Sequence, residues 1–219
     1  GNTTLLILLL SADLLFMGLH VVNTITPGWQ YPLLNIEKEG GYPELFQYLK
    51  YFWTSLLFIL LARRQRQFSY LAWAALFTYL LLDDALTIHE RLGGQIAASL
   101  DLQPAFGVRP QDLGELLCNL SAGALLVLPL AWSYMKGSAE FRSTSKLVGM
   151  LVALLACFGV LVDFAHMMVH TGWKLKFAIA MLEDGGEMLA ASLLVALVYS
   201  LGLHPPKTIR NSGSAVLAA

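Results

Sequence analysis

Charge is what this chain has least of. Asp, Glu, Lys and Arg make up 13% of its 219 residues, about half the share of roughly 25% found in a soluble domain. That deficit excludes disorder, a basic nucleic-acid-binding domain and an ordinary soluble enzyme, so no nucleic-acid partner is expected. The signs nearly cancel at a net charge of −1, which implies no strongly charged partner. Cysteine is scarce as well. Cys118 and Cys157 are too few for a disulfide framework, and both lie in apolar runs, where a thiol packs as a small hydrophobe. Internal repeats and low-complexity tracts are missing. What the chain does have is hydrophobicity, at 57% of residues, which leaves an integral membrane protein as its class.

A helix needs about 20 mostly apolar residues to cross the hydrocarbon core. Six runs qualify, roughly Leu5–Val22, Phe46–Ala62, Phe68–Glu90, Asp112–Tyr134, Lys146–Thr171 and Leu175–Leu203. They are continuous, not alternating, which argues against barrel strands. The fold expected is therefore all-α, an integral membrane bundle of six transmembrane helices. Residues 1–204 form one transmembrane domain and 205–219 a short polar, frayed tail. The first run contains Asp13 and lacks a clear cleavage site, so it is read as a retained span. The connections are short except Asn23–Pro43, rich in Pro and Gly, and Arg91–Gln111. Pro43 and Pro110 stand just ahead of spans, where a helix start tolerates Pro. Trp29, Tyr31, Trp73, Trp132, Tyr134 and Trp173 suit membrane interfaces.

Alternating spans divide the loops between two sides. One side holds Arg63, Arg64, Arg66, Lys136, Arg142, Lys146, Lys207 and Arg210; the other holds Lys38, Lys50, Arg91, Arg109, Lys174 and Lys176. The first set is larger and includes a tight Arg cluster, which favours both termini in the cytoplasm. The expected location is a bacterial inner membrane.

The acids then fall into one layer on the opposite, outer side. Glu44, Asp83, Asp84, Glu90, Glu115, Asp163, Glu183, Asp184 and Glu187 all lie toward outer helix ends, joined by His20, His89, His166 and His170, with Asp13 deeper. The inner parts of the spans, such as 54–62, 71–82 and 147–162, carry no charged residue or histidine. Helical spacing groups the polar side chains further. Asp163, His166 and His170 share one face, as do Glu183 and Glu187, and Asp83, Thr87 and Glu90 form a third stripe. Facing helices of a bundle commonly build metal sites in this way.

Carboxylates crowded in low dielectric need protons or counter-charge, and no Lys or Arg lies inside these stripes. Histidines beside them favour metal, and mixed His and carboxylate ligation suits Zn, Fe or Mn. The expected cofactor is one or two such divalent ions. The expected ligands are Asp83, His89, Glu90, Asp163, His166, His170, Glu183 and Glu187. Asp84, Glu115 and Asp184 are the expected catalytic partners, with Glu44 beside them. Plainer readings stand next to these. Glu44 and Glu115 open helices, where the macrodipole favours acids. Asp112 is a cap more than a ligand. His20 and His89 could serve as interface hydrogen-bonders, Asp13 could pair with a polar neighbour, and Gly185 and Gly186 could allow close helix contact.

Three stretches carry a resemblance: Asp83-Asp84-Ala85-Leu86-Thr87-Ile88-His89-Glu90-Arg91-Leu92-Gly93, Glu183-Asp184-Gly185-Gly186-Glu187-Met188, and Tyr42-Pro43-Glu44-Leu45-Phe46-Gln47-Tyr48-Leu49-Lys50. They resemble an uncharacterised family of bacterial multi-pass membrane proteins over about residues 35–200. That resemblance implies a membrane fold and no activity. Two partial likenesses accompany it. Asp163-x-x-His166 resembles half of a di-iron carboxylate bundle's ligand set. His166-x-x-x-His170, with His89 and Asp83 or Asp84, resembles the ligands of the ceramidase and adiponectin-receptor zinc hydrolases, which have seven spans where this chain has six.

The function expected is a metal-dependent membrane hydrolase acting on a lipid or amphipathic substrate, or within the same class a di-iron oxidoreductase. A proton or cation translocator is one alternative, weakened by the apolar inner halves. An accessory subunit of a membrane complex is another, and lipid is a partner in every case.

Overall fold

The computed structural model describes residues 2–105, 107–169 and 172–203. It is all-helical, and among the described residues it has no strand, only an isolated bridge between Ala105 and Val108. The helices are α1 (Asn2–Ile25), α2 (Tyr42–Gln65), α3 (Tyr70–Leu86), α4 (Ile88–Ser99), α5 (Pro110–Lys136), α6 (Ala139–Ala156), α7 (Asp163–Met168) and α8 (Trp173–Leu203). A π-helical turn, Cys157–Val162, joins α6 to α7. Five continuous stretches are long and apolar enough to cross a membrane, and the bent pair α3–α4 makes a sixth if taken as one span. Large apolar side chains point outward; Leu8, Leu125 and Leu128 are each more than 60% exposed. Such a surface fits lipid contact, as in a membrane protein. The expected tail, 205–219, lies outside the described residues.

Local chemistry explains the helix ends. Pro43 and Pro110 stand in the first turns of α2 and α5. Asp112 accepts the Arg109 N–H at 3.2 Å and the guanidinium at 2.6 Å, so it caps α5 as expected. The bond also holds the Arg109 guanidinium above its usual range. Ser138 Oγ accepts the Phe141 N–H at the start of α6, and Arg66, in the left-handed region, stops α2.

Apolar packing is concentrated away from the acids. Phe58 of α2 stacks against Tyr70, Trp73 and Phe77 of α3, and Val148 and Leu194 bring in α6 and α8. Trp73, expected at an interface, belongs instead to this core. It is 6% exposed, and its indole N–H donates to Ser145 at 3.0 Å, which satisfies its one polar atom inside the bundle.

Lys50 also departs from expectation. It is not a loop cation but lies wholly buried in α2. Its ammonium bonds Asp13 of α1 at 2.9 Å and the Met188 carbonyl of α8 at 2.8 Å. The second Asp13 oxygen accepts Ser192 of α8. A buried ion pair is tolerated only with its remaining valences satisfied, and this one ties three helices together. Glycines of α8 allow close contact on two sides: a Cβ at Gly185 would meet Met17 of α1, and one at Gly186 would meet Phe158 of the π turn.

Two helices break where continuous ones were expected. The third expected span does not run to Glu90. Thr87 takes φ 48° and ψ 46°, a conformation that strains a β-branched residue, and α4 leaves at 74° to α3. Arg91-to-Gln111 is therefore helical as far as Ser99, and α4 packs on α5 through a close approach of Gly93 to Gly114. The fifth span ends early. Val169 is extended, at φ −89° and ψ 105°, so helical spacing does not relate His166 to His170. His170 itself lies outside the described residues.

Candidate functional site

The breaks and the helix ends enclose one cavity of about 630 Å³, within the range of small-molecule pockets. Its acids come from seven segments of the chain. The loop before α2 gives Glu37 and Glu39, α2 gives Glu44, α3 gives Asp83 and Asp84, and α4 gives Glu90. Asp112 and Glu115 come from α5, Asp163 from α7, and Glu183, Asp184 and Glu187 from α8. Twelve of the fifteen acids of the chain thus face one space. Lys38, itself exposed, is the one Lys or Arg among the described lining residues.

The bend at Thr87 does local work. It turns the start of α4 back over the end of α3, so Asp83 accepts the His89 backbone N–H at 3.0 Å and meets His89 Nδ1 at 3.1 Å. Asp83 thereby satisfies a free N–H of the first turn of α4, from the preceding helix. Asp83, Asp84 and His89 offer ligand-type atoms all within 4.8 Å of one another. The expected stripe of Asp83, Thr87 and Glu90 is accordingly replaced. The break removes the common face, brings His89 to the two aspartates and leaves Glu90 elsewhere on the cavity wall.

The second expected group divides. His166 Nδ1 lies 2.7 Å from Glu183 Oε2, but among the described lining residues the cavity has Asp163, Phe164 and Met167 from α7 and not His166. Its histidine therefore reaches the cavity through Glu183. Glu183 and Glu187 share a face of α8 as their spacing requires, and both line the cavity. The π turn makes room for the latter: a Cβ at Gly159 would strike the Glu187 carboxylate. Such turns often occur at functional sites.

The remaining candidates have local partners. Glu115 accepts Gln111 Nε2 at 2.8 Å. Glu44 accepts the Gly40 N–H and, at 2.6 Å, the Tyr48 hydroxyl, so it ties the loop to α2 while facing the cavity. His20 is outside the cavity. Its Nδ1 accepts the Ile36 N–H at 3.3 Å and its ring stacks on Phe177, which holds the same loop to α1 and α8. Asp13 pairs with Lys50, as described.

Some lining residues lay outside the sequence argument. Glu37 and Glu39 arrive because their loop folds back across the helix ends. Gln47 and Asn119 are neutral, so an argument from charge passes over them. Below the acids the wall turns apolar. Leu126, Val127 and Leu130 of α5 face the same space as Val152 and Leu155 of α6, because α5 packs mainly on α4 and α3 and little on α6. The cavity is thus acidic at one end and apolar at the other.

Comparison with known proteins places residues 5–201 in a family described as a domain of unknown function, DUF8692, and the chain belongs to that family. No curated protein and no solved structure matches it. Membership of an uncharacterised family agrees with the resemblance carried by the three acidic stretches. The likenesses to zinc hydrolases and di-iron bundles remain likenesses of spacing.

Proposed function

We propose that the cavity is the site of a metal-dependent reaction, most simply hydrolysis, on a lipid or other amphipathic substrate. The observation that carries this reading is the convergence of Asp83, Asp84 and His89 at the acidic end of a cavity whose other end is apolar. Two carboxylates and an imidazole suit Zn, Fe or Mn. An ion set among them would take His89 Nδ1 and one oxygen of each aspartate, in place of the present contact of 3.1 Å between Nδ1 and Asp83. A divalent ion there would polarise an ester or phosphate oxygen and lower the pKa of a water. Glu115 and Asp184 line the same cavity and are the residues proposed to accept and return protons. Asp163, Glu183 and Glu187, with His166 behind Glu183, are the proposed holders of a second ion.

The apolar lower wall supports a substrate with a hydrocarbon part and weighs against a translocator, which needs polar groups through the whole thickness. The placement belonging to this reading is six spans in a bacterial inner membrane, with cytoplasmic termini and the acidic end outside. Metal analysis of protein purified without chelator is the test. One or two equivalents of Zn, Fe or Mn are expected, with Asp84→Asn and His89→Ala each lowering the content. Metal-free wild-type protein would overturn the reading.

A further inference from the structure

Among the described residues, one buried side-chain atom on the cavity wall has no hydrogen-bond partner. Gln47 of α2 is 5% exposed and lines the cavity wall. Its Nε2 donates to the Tyr51 hydroxyl at 2.9 Å and reaches the Glu187 carbonyl at 3.5 Å. A main-chain carbonyl only accepts, so the amide nitrogen must face it. In this orientation Oε1 is buried without a partner. Leaving a buried acceptor unmet is unfavourable, and here it lies beside a space large enough for a ligand.

Three features of the same cavity narrow what that ligand is. Its carboxyl side chains outnumber Lys38 twelve to one, which disfavours an anionic headgroup and favours a cation. Gln47 Oε1 asks for an N–H or O–H. Below Asn119 the wall is apolar as far as Leu130, roughly 16 Å along α5 at its helical rise, in the gap left between α5 and α6. We infer that the cavity binds an amphiphile with a primary ammonium headgroup, held by the carboxylates and by Gln47 Oε1, with its alkyl chain seated between α5 and α6. This names the substrate class of the site proposed above and rests on that reading for the cavity, though not for the metal.

Two probes of equal charge and chain length test it: dodecylammonium, which has N–H donors, and dodecyltrimethylammonium, which has none. Binding to the full chain in nanodiscs is measured by native mass spectrometry and by thermal shift. Wild-type protein is expected to bind dodecylammonium about tenfold more tightly, since a site built to bond a donor rejects the analogue without one. Gln47→Met, similar in volume, should erase that preference. Gly123→Phe should weaken both probes, because a Cβ there meets nothing within 4 Å and the ring can fill the gap without unfolding the chain. Equal wild-type affinities, or a preference that survives Gln47→Met, would overturn the role of Gln47. Full binding in Gly123→Phe would overturn the seat of the chain. Metal content is read on the same samples. Probe selectivity in metal-free protein would sink the metal reading alone, and bound metal without selectivity would sink this inference alone.

Discussion

Two polar regions lie within the helices, and they manage charge in opposite ways. Around Lys50, one cation, one carboxylate, one hydroxyl and one carbonyl close on each other between α1, α2 and α8, with no exposure of either charged side chain. In the cavity, twelve acids from seven segments face an open space with one exposed lysine. The first region is complete without a ligand. The second has no such built-in counter-charge among its described lining residues beyond Lys38 and His89. The difference teaches where stability and function separate: a closed pair holds helices, and an unbalanced cluster beside a void is where we propose that cations bind.

The sharpest way to break this contrast is Lys50→Met. It leaves Asp13 buried without its cation, which typically costs about 3–5 kcal/mol. A large drop in melting temperature in detergent is expected, with most of it recovered in the double variant Lys50→Met, Asp13→Leu, since apolar replacement of both partners is often neutral. Unchanged stability of the single variant would mean that the pair holds nothing.

On the cavity side, Gly159→Ala tests the fit between the π turn and α8. Its methyl would collide with the Glu187 carboxylate, and overpacking of this kind costs about 1–3 kcal/mol. Denaturant unfolding should show that loss, and Gly159→Ser should do no better. A neutral result would mean that Glu187 moves aside freely.

Asp83 and Asp84 separate scaffold from ligand at neighbouring positions. Both Asp→Asn variants should lower metal content. Asp83→Asn alone should also loosen the start of α4 by about 1 kcal/mol, the value of a helix cap, read as faster hydrogen exchange at the His89 amide. Equal exchange in both variants would erase the distinction. The smallest effect is expected at Arg109→Gln. Its side chain is 76% exposed, though Asp112 is only 5% exposed, and Asp112 still accepts the backbone N–H of residue 109, so the loss should stay well below that of a fully buried pair. A melting shift comparable to that of Lys50→Met would contradict the division between closed and open polar regions.

Much of the site was legible because intramembrane charge is costly to place. Asp83, Asp84, Glu90, Glu115, Asp163, Glu183, Asp184 and Glu187 could be assigned to one end of the bundle from span alternation alone, and they do line one cavity. Glu37 and Glu39 could not, because nothing local tells a loop to fold back over the helix ends. Gln47 carries no charge, so its importance appears only when its burial and its unmet oxygen are seen together.

By itself, then, the sequence determined the all-helical class, the approximate spans and the gathering of acids at one end. Hydropathy over 20 residues and the cost of buried charge are local or additive quantities. Only the tertiary structure decided that Lys50 turns inward to Asp13, that Thr87 breaks a helix to bring His89 to Asp83, and that Val169 ends one before His170. Each of these depends on a partner distant in the chain or on one residue's dihedral angles, and a periodic pattern contains neither.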